Sequence, residues 1–380
     1  MLVGAFAHNG KVEIVRYSKF WRVRELTQAI GNDEAAGSGS RSRNRSWIRA
    51  SDWWEYKLLP PLAVAYATSL CLDRTLYDAL APIALVLVSL IPGAIYVSVL
   101  NDLTDRGDDH RAGKPNPQIG SGKILPLAIL ATCAAGGVLF GYIWRDNPFM
   151  IAVYATGWLA FSLYSLPPIR LKTRGAAGAL CDAIGANTVP AVLAALACFA
   201  TAPVAEQTAW LAGVAIWSTC FGLRGILWHQ IVDVEFDRLA GANTLVARIG
   251  VEAAARWARR VIFPLELMAI GSLALLAGPI ALAAGVVALA LYGWLVWERN
   301  DRFLMVVRIV GHHPRGTLFL HEFYDVFLPL ALLVTCIAID PRNLAVLVLH
   351  LLLFPQRWRQ VLDDVTRLRD PQYESSRRSR

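Results

Sequence analysis

Long apolar stretches recur along most of this 380-residue chain, and each is close to the length that crosses a lipid bilayer. A helix needs about 20 apolar residues to span a hydrocarbon core of about 30 Å. Apolar residues make up 56% of the chain and its mean hydropathy is +0.43, which is typical of a protein that lives in lipid. The predicted spans are 58–73, 80–100, 124–144, 149–166, 180–200, 209–228, 261–278, 280–297 and 318–339.

These spans predict an all-α integral membrane fold with about nine transmembrane helices. Backbone inside lipid must satisfy its own hydrogen bonds, and the apolar runs lack the strict alternation of a membrane barrel. A further apolar stretch, 344–354, is only half long enough to cross, so it is re-entrant, interfacial or part of a tenth span.

Two basic tails flank the predicted transmembrane domain, which we place at 58–355. The N-terminal tail, 1–57, contains an amphipathic patch at 18–30 and a flexible linker, GSGSRSRNRS, at 37–46. The C-terminal tail is 356–380. Each tail is open to two interpretations: a disordered segment, or a basic helix that lies on anionic lipid.

The net charge is +8, and the basic residues of the loops lie mostly on one predicted side of the membrane. The loops at 101–123, 167–179, 229–260 and 298–317 hold 16 Lys or Arg residues, whereas the loops on the other side hold only Arg74 and Arg145. Since cytoplasmic loops are enriched in basic residues, this asymmetry predicts a cytoplasmic N-terminus and puts those four loops inside. It argues against nucleic acid as a partner, because the basic residues do not gather on one soluble domain.

Two acidic motifs occur at the inner ends of the second and sixth spans. The first is Asn101-x₃-Asp105-x₃-Asp109, and the second, 128 positions later, is His229-x₃-Asp233-x₃-Asp237. Four spans separate them, so both emerge on the same side, as expected for two four-helix pseudo-repeats around a central cavity. Residues four apart in a helix advance about 400°, so each motif presents its polar side chains on one face.

The chemistry of these motifs favours a divalent cation. Carboxylates beside a membrane span are costly unless they are paired, hydrated or bound to a cation, so they are functional by default. Hard oxygen ligands suit Mg²⁺, which proteins commonly bind through one or two carboxylates together with substrate phosphates. The alternative is that the acids pair with the neighbouring Arg106, Arg111 and Arg238 as ordinary loop charges, but two independent loops have no reason to share spacing and membrane depth.

Three segments resemble the UbiA-type intramembrane prenyltransferases. NDLTDRGDDHRAGKPNPQIGSG at 101–122 is similar to the first acidic motif of that family, with its Lys-Pro and Ser-Gly. LYSLPPIRLKTRG at 163–175 resembles the next inner loop, and DVEFDRLAGANTLVARIG at 233–250 resembles the second acidic motif. The segments follow the family's order over 150 residues, and together they are specific although each alone would be weak.

The resemblance implies a nine-helix bundle whose cavity opens toward lipid, with a prenyl diphosphate held at the cytoplasmic end. It implies two Mg²⁺ ions, one held by Asn101, Asp105 and Asp109 and one by Asp233 and Asp237. It also implies that Lys114, Arg170 and Lys172 contact the diphosphate. The residues that we assign to catalysis are Asp105, Asp233 and His229.

The second motif departs from the family. Many members carry Tyr-x₂-Lys just before the second acidic pair, and this chain has Ile226 and His229 there. The lysine charge is therefore missing, or a titratable histidine supplies it. Arg224, about one turn earlier, is a candidate substitute as a diphosphate ligand.

Two further groups of residues are candidates for the rest of the site. An allylic cation needs a dry aromatic wall, for which the candidates are Phe161, Tyr164, Trp217, Phe221 and Trp228, although aromatic residues at such positions also form interfacial belts or simply pack. Glu322 and Asp325 are interpreted as hydrogen-bond acceptors for a second substrate, or otherwise as partners of Arg308 or Arg315.

The leading functional hypothesis is Mg²⁺-dependent transfer of an isoprenoid chain from a prenyl diphosphate to a lipophilic, often aromatic, acceptor within the membrane. Because the Tyr and Lys are missing, a second hypothesis stays open, in which the protein is an intramembrane terpene cyclase that uses no acceptor. Weaker alternatives are a transferase of sugar phosphate to polyprenyl phosphate, and a transporter. A transporter would place charges in broken helices at mid-bilayer, whereas these acids cluster at the inner ends of helices.

Overall fold

The computed structural model describes residues 5–8, 11–14, 48–113, 116–199, 205–299 and 318–368. The chain divides into two units, 1–44 and 45–380. In the first unit, β1 (Ala5–His8) and β2 (Lys11–Ile14) form an antiparallel hairpin with Ala5 opposite Ile14. The intervening sequence is Asn-Gly, which favours tight hairpins, but we did not predict this one. The patch at 18–30 and the linker at 37–46 lie outside the described residues.

The second unit is helical, which confirms the predicted all-α membrane fold. Its helices are α1 (Ala50–Cys71), α2 (Leu80–Ala112), α3 (Ile124–Ile143), α4 (Pro148–Ser165), α5 (176–196), α6 (Ala205–Val232), α7 (Val234–Leu239), α8 (Leu245–Ile249), α9 (251–276), α10 (Gly278–Glu298), α11 (323–339), α12 (Leu344–Leu353) and α13 (Pro355–Leu368). Each predicted span coincides over most of its length with one long helix. In the described part of the chain, α2, α3, α5, α6 and α10 are long and apolar enough to cross a membrane. The count of nine crossings stays a prediction.

The long helices pack as a ring that follows the chain. From α2 to α6 each helix contacts the next, α6 then contacts α9, and the series continues through α10 to α11. The ring closes where α11 contacts α1 and α1 contacts α2, while α1 also contacts α5. Small residues permit the closest approaches between neighbouring helices. A Cβ atom on Gly137 of α3 would lie 2.5 Å from the Trp158 ring of α4.

Three of the long helices contain a short π-helical segment. These segments are Ile184–Thr188 in α5, Ala258–Ile262 in α9 and Phe323–Phe327 in α11. In each helix a proline, at position 190, 264 or 329, follows two residues after the segment ends. Proline supplies no N–H for the carbonyl four residues back, so each wide turn lies where the α-helical hydrogen-bond ladder is already broken.

Two short helices follow α11. A helix of ten residues is about 15 Å long, so α12 is too short to cross a bilayer. The predicted C-terminal tail is helical over Pro355–Leu368, and this helix, α13, contacts α11. The carboxylate of Glu55 accepts hydrogen bonds from the first amides of α13, those of Gln356 and Arg357, at 3.0 and 2.8 Å. Helix α13 is therefore fixed against α1 as well as α11.

Candidate active site

The first acidic motif occupies the last three turns of α2, beyond its apolar part. Gly113, with φ of 68°, ends the helix in the left-handed conformation that costs glycine little. Asn101, Asp105 and Asp109 share one face, and all three are partly buried. Asn101 Oδ1 accepts a hydrogen bond from Ser165 Oγ of α4. The polar face of the motif is thus turned toward neighbouring helices.

The loop after α4 places two cations on this face. Arg170 Nη2 lies 2.7 Å from Asp105 Oδ1 and 2.7 Å from Asp108 Oδ2. Lys172 Nζ lies 2.6 Å from the same oxygen of Asp105 and donates to Thr104 Oγ1 at 3.1 Å. The structure therefore brings Arg170 and Lys172 to Asp105, although about 65 residues of chain separate them.

Burial and ion pairing act in opposite directions on these cations. Burial disfavours the charge on Arg170, but hydrogen bonds and charges from Asp108 and Asp105 outweigh it and leave the Arg170 pKa raised. For Lys172 burial is the larger effect and lowers the pKa, although the charge of Asp105 opposes it. Arg170 is a permanent cation, whereas burial weakens the charged form of Lys172.

The segment after α2 folds back over the motif. Asn116 Nδ2 donates to Asp109 Oδ2 and to the backbone oxygen of Asp102, both at 2.8 Å. The Asn116 oxygen in turn accepts the amide of Gln118 at 2.9 Å. Lys114, a predicted diphosphate ligand, lies outside the described residues, so its role stays a prediction.

The second motif lies where α6 ends and α7 begins. Asp233 is the residue between the two helices, and its amide donates to the backbone oxygen of His229 at 2.9 Å. Asp237, one turn further, accepts a hydrogen bond at Oδ2 from Thr244 Oγ1 at 2.9 Å. The same Thr244 oxygen caps α8 by accepting the amide of Ala247 at 3.3 Å. His229 is exposed and packs against Trp228.

The two motifs meet at one end of the bundle. Helix α2 contacts α7, and the loop that carries Arg170 runs beside the loop that follows α7. The Gly175 amide donates to the Asn243 oxygen at 3.0 Å. Gly175 has φ of 62°, and a Cβ atom there would lie 2.7 Å from Arg248 Nη1, so the position requires glycine.

Tyr164 lies near both motifs. The charges of Asp182, of Asp105 in the first motif and of Asp237 in the second all act on its hydroxyl. Phe161, one turn earlier on α4, packs on Gly185 in the π segment of α5, where a Cβ atom would lie 2.8 Å from its ring. Both predicted wall residues on α4 therefore face the interior of the bundle.

The structure corrects the prediction for Arg224. Its Nε and Nη2 atoms lie 2.5 and 2.6 Å from the two carboxylate oxygens of Glu266, and Nη1 donates to the Phe319 oxygen at 3.0 Å. Neither side chain of the pair is exposed. Removing the guanidinium from this bidentate pair would leave a buried carboxylate without its cation, which is strongly unfavourable. Arg224 thus joins α6 to α9 and does not belong to the Asp105 cluster.

An aromatic cluster lies deeper in the bundle. The rings of Trp217 and Phe221 are stacked, with centroids 5.8 Å apart and an interplanar angle of 10°. Tyr324 of α11 meets both of them edge-on, at 5.1 and 5.4 Å. Trp217 and Phe221 were predicted as wall residues, and Tyr324 was not. Trp228, the remaining candidate, lies against His229 at the end of α6.

Glu322 and Asp325 form ion pairs with arginines that we did not predict. Glu322 pairs with Arg299 at 2.5 Å, and Asp325 pairs with Arg357 of α13 at 2.6 Å. The same Arg299 reaches Asp364 of α13, also at 2.5 Å. The predicted alternatives, Arg308 and Arg315, lie outside the described residues. Both acids belong to the ion pairs that attach α13. This use argues against a role as hydrogen-bond acceptors for a second substrate.

Sequence reasoning missed three side chains that complete the polar cluster: Asp108, Asn116 and Thr244. Asn116 and Thr244 share a signal that could have identified them. Each lies seven residues after the last acid of its motif, and they are 128 positions apart, which is the offset of the motifs themselves. Each donates a hydrogen bond to that last acid. The internal repeat therefore extends to the residues that orient the carboxylates.

Comparisons with known proteins point to one family. The model of the UbiA prenyltransferase family matches residues 58–304. The solved structure of a UbiA homolog from Archaeoglobus fulgidus bound to DMAPP and Mg²⁺ is similar with a TM-score of 0.55 at 18% identity, covering 78% of this chain and 99% of that chain. The same values hold for that homolog bound to GPP and Mg²⁺. No protein with curated annotation matches significantly. At this level of identity, the solved structures show a shared fold.

Proposed function

Because this chain belongs to the UbiA prenyltransferase family, we propose that it transfers an isoprenoid chain from a prenyl diphosphate to a lipophilic, aromatic acceptor within the membrane, with Mg²⁺ at the diphosphate. The observation that carries the proposal is the convergence of two acidic motifs and two loop cations at one end of the bundle. The A. fulgidus homolog supports it, since its structures hold DMAPP or GPP with Mg²⁺.

The residues present fit Mg²⁺ that arrives with a diphosphate. Among the described residues, no three His, Cys, Asp or Glu side chains are grouped so as to hold a metal ion by themselves. Mg²⁺ dehydrates reluctantly and is usually bound through one or two carboxylates plus substrate phosphates, so a complete protein cage is not needed. We assign one ion to Asn101, Asp105 and Asp109, and the other to Asp233 and Asp237.

The loop cations have a direct role in this proposal. In the structure Arg170 and Lys172 neutralise Asp105. If Asp105 held Mg²⁺, both side chains would be available to phosphate oxygens at the same place. The planar guanidinium of Arg170 can bind two of these oxygens at once, and the Lys172 ammonium can pair with another.

The reaction breaks the bond between the terminal prenyl carbon and the diphosphate oxygen, whose electron pair leaves with the diphosphate. Bound Mg²⁺ would supply positive charge to the leaving group. Arg170 and Lys172 stabilise the same developing charge as fixed groups in a site of low dielectric constant. An acceptor carbon then bonds to the allylic cation and loses its proton to the released diphosphate or to water. The buried rings of Trp217 and Phe221 offer a face that stabilises a cation without reacting with it.

The proposed site lies on the cytoplasmic side of the membrane. The reason is the basic bias of the loops that carry the motifs, since cytoplasmic loops of membrane proteins are enriched in Lys and Arg. The same aromatic cluster would also serve a terpene cyclase, so that reaction is the second candidate.

Purified protein in detergent, incubated with geranyl, farnesyl or geranylgeranyl diphosphate, Mg²⁺ and phenolic acceptors, tests the proposal. We expect a prenylated acceptor and released diphosphate, both lost when EDTA removes the metal. Asp105→Asn should lower turnover by about 100-fold or more, the size expected when a group that stabilises transition-state charge is lost. Asp363→Asn, at an exposed position on α13, is the matched control.

The products separate the outcomes. A cyclic hydrocarbon or alcohol made without acceptor would establish the cyclase instead. Prenyl diphosphates that remain intact under all conditions, or full activity in Asp105→Asn, would refute the proposed site.

A further inference from the structure

Three arginines gather near the start of α9, at the end of the bundle that carries the acidic motifs. Helix α8 contacts both α7, which holds Asp237, and the first turns of α9. Arg256, Arg259 and Arg260 lie in the stretch that follows, and all three side chains are exposed. We call these three residues the α9 arginine cluster. The proposed reaction uses none of them.

The α9 arginine cluster is short of negative charge. In the described part of the chain, Arg259 and Arg260 have no hydrogen-bond partner and no carboxylate within ion-pairing distance. Arg256 lies 4.0 Å from Glu252, and both side chains are more than half exposed, so that pair is weak. Like charges three or four residues apart repel, because those positions are neighbours on a helix surface. A bound anion would relieve this repulsion.

Two other arginines at this end of the bundle are held by oxygen atoms of the protein. Arg106 Nη2 donates to the backbone and side-chain oxygens of Ser121, both at 3.0 Å. Arg170 lies 2.7 Å from Asp105 and from Asp108. The charges of these two residues serve the fold and the proposed reaction centre, whereas the charge of the α9 arginine cluster serves neither.

An exposed apolar stripe begins within the cluster. It consists of Trp257, Val261, Leu265 and Met268, which are 53%, 44%, 42% and 60% exposed. Steps of four, four and three residues keep these side chains on one face of α9. Since 261–278 is a predicted span, this face meets the acyl chains of the membrane.

The depth of the cluster matches that of lipid headgroups. Tryptophan is enriched where a membrane meets water, so Trp257 marks that level. Arg259 and Arg260 lie directly before the predicted span, and long basic side chains at such positions extend toward the interface. Both belong to the π segment Ala258–Ile262, and such segments are frequent at functional sites. The guanidinium groups therefore lie level with lipid phosphates.

The combination of charge and apolar surface selects one kind of occupant. Guanidinium groups bind phosphate oxygens in pairs, which suits a phospholipid headgroup. A zwitterionic headgroup carries its own cation, which three arginines repel, so a lipid with net negative charge fits better. Free phosphate would satisfy the arginines but leave the apolar stripe uncovered.

We propose that the α9 arginine cluster and the apolar stripe together bind one anionic phospholipid of the phosphatidylglycerol type. Arg259 and Arg260 bind its phosphate, Arg256 adds positive charge, and its acyl chains lie along the stripe. This binding does not depend on the proposed prenyl transfer.

Native mass spectrometry of the full-length protein in detergent tests the proposal, because it counts bound lipids. Dioleoyl phosphatidylglycerol and dioleoyl phosphatidylcholine share their acyl chains and phosphate and differ in net charge. We expect the first phosphatidylglycerol to bind about tenfold more tightly than the first phosphatidylcholine, since each basic residue at an anionic surface adds to the attraction. Arg259→Gln/Arg260→Gln should remove this preference.

A second variant and a matched control accompany this measurement. Arg260→Glu reverses one charge, so it should also remove the preference, and it covers the case in which the double variant does not fold. Arg145→Gln/Arg342→Gln removes two exposed arginines from the opposite end of the helices and should keep the preference, although the net charge falls by the same amount. Circular dichroism checks that each variant is folded.

Three results would overturn the proposal. The first is equal affinity of the two lipids for the wild type. The second is a preference for phosphatidylglycerol that survives in both cluster variants, or that the control loses to the same extent, because the cluster would then not be its cause. The third is displacement of the lipid by excess inorganic phosphate, which cannot contact the apolar stripe and would identify the site as one for a free anion.

Discussion

At the residue scale, two hydrogen bonds show how the halves of the site correspond. Asn116 donates to Asp109 Oδ2 at 2.8 Å, and Thr244 donates to Asp237 Oδ2 at 2.9 Å. The two donors differ in chemistry but occupy equivalent positions of the repeat. Each fixes one oxygen of a carboxylate that we assign to Mg²⁺. Partners of this kind set the orientation of metal ligands, and their loss commonly costs 10- to 100-fold in metal affinity or activity.

Thr244→Val should therefore raise the Mg²⁺ concentration needed for half-maximal activity by about tenfold or more, because Asp237 loses its fixed orientation. Excess Mg²⁺ should restore most of the turnover, and Thr244→Ser, which keeps the hydroxyl, should behave as wild type. The measurement is a Mg²⁺ titration of initial rates. Thr132→Val, at an exposed position on α3, is the control for the loss of a hydroxyl. A Mg²⁺ dependence unchanged in Thr244→Val would contradict the assignment of Asp237.

The residues that the sequence predicted depend on local spacing, whereas those that it missed depend on contacts between residues far apart in the chain. Helical spacing placed Asn101, Asp105 and Asp109 on one face, because four-residue steps are a local property. The partner of Arg224 could not be predicted in this way. Glu266 lies 42 residues away on another helix, and only tertiary packing brings it there. A buried arginine needs a carboxylate, but the sequence does not say which one.

At the element scale, the three π segments have a common cause in proline. In α5 Pro190 has no N–H to donate to the Ala186 carbonyl, and the wide turn at Ile184–Thr188 lies where this hydrogen bond is missing. Apolar runs were sufficient to predict the helices, because length and hydropathy mark a span. They do not reveal a change of helical pitch, so the π segment at Ile184–Thr188 was not predicted. The prolines two residues beyond each segment are the signal that sequence offers.

Pro190→Ala should restore the missing donor and allow the π segment of α5 to tighten into α-helix. That change shifts Gly185, on which the Phe161 ring packs, so we expect turnover to fall by about tenfold, since small misplacements of groups that position a substrate lower rates steeply. The protein should stay folded, since alanine is a better helix former than proline. Initial rates together with circular dichroism check both expectations.

Pro279→Ala, at the start of α10 where the missing donor costs nothing, should leave turnover unchanged. Unchanged turnover in Pro190→Ala would show that the π segment does not position Phe161.

At the scale of the whole molecule, the ring of helices is closed by parts of the chain beyond the family match. That match ends at residue 304, whereas α11, α12 and α13 follow it. Charge joins these parts to the rest: Arg357 of α13 pairs with Asp325 of α11, and Arg299 at the end of α10 pairs with Asp364 of α13. The sequence could not show this closure, because the basic residues of the C-terminal tail look like solvated charges until their buried partners are known.

Arg357→Met should destabilise the fold by about 3–5 kcal/mol, because it leaves the carboxylate of Asp325 buried without its cation. Arg357 and Asp325 are only 4% and 2% exposed, so solvent screens the pair little. The double variant Arg357→Met/Asp325→Leu removes both charges and should recover most of the loss, since an apolar pair of similar volume is often as stable as a buried ion pair.

Unfolding in detergent, followed by circular dichroism, measures the stability of both variants. Arg342→Met, which removes the more exposed partner of the pair with Asp340, should change stability little. If the single variant were as stable as the wild type, α13 would not be held by this ion pair. If the double variant were no more stable than the single one, the loss would come from the packing of Arg357 and not from an unpaired charge.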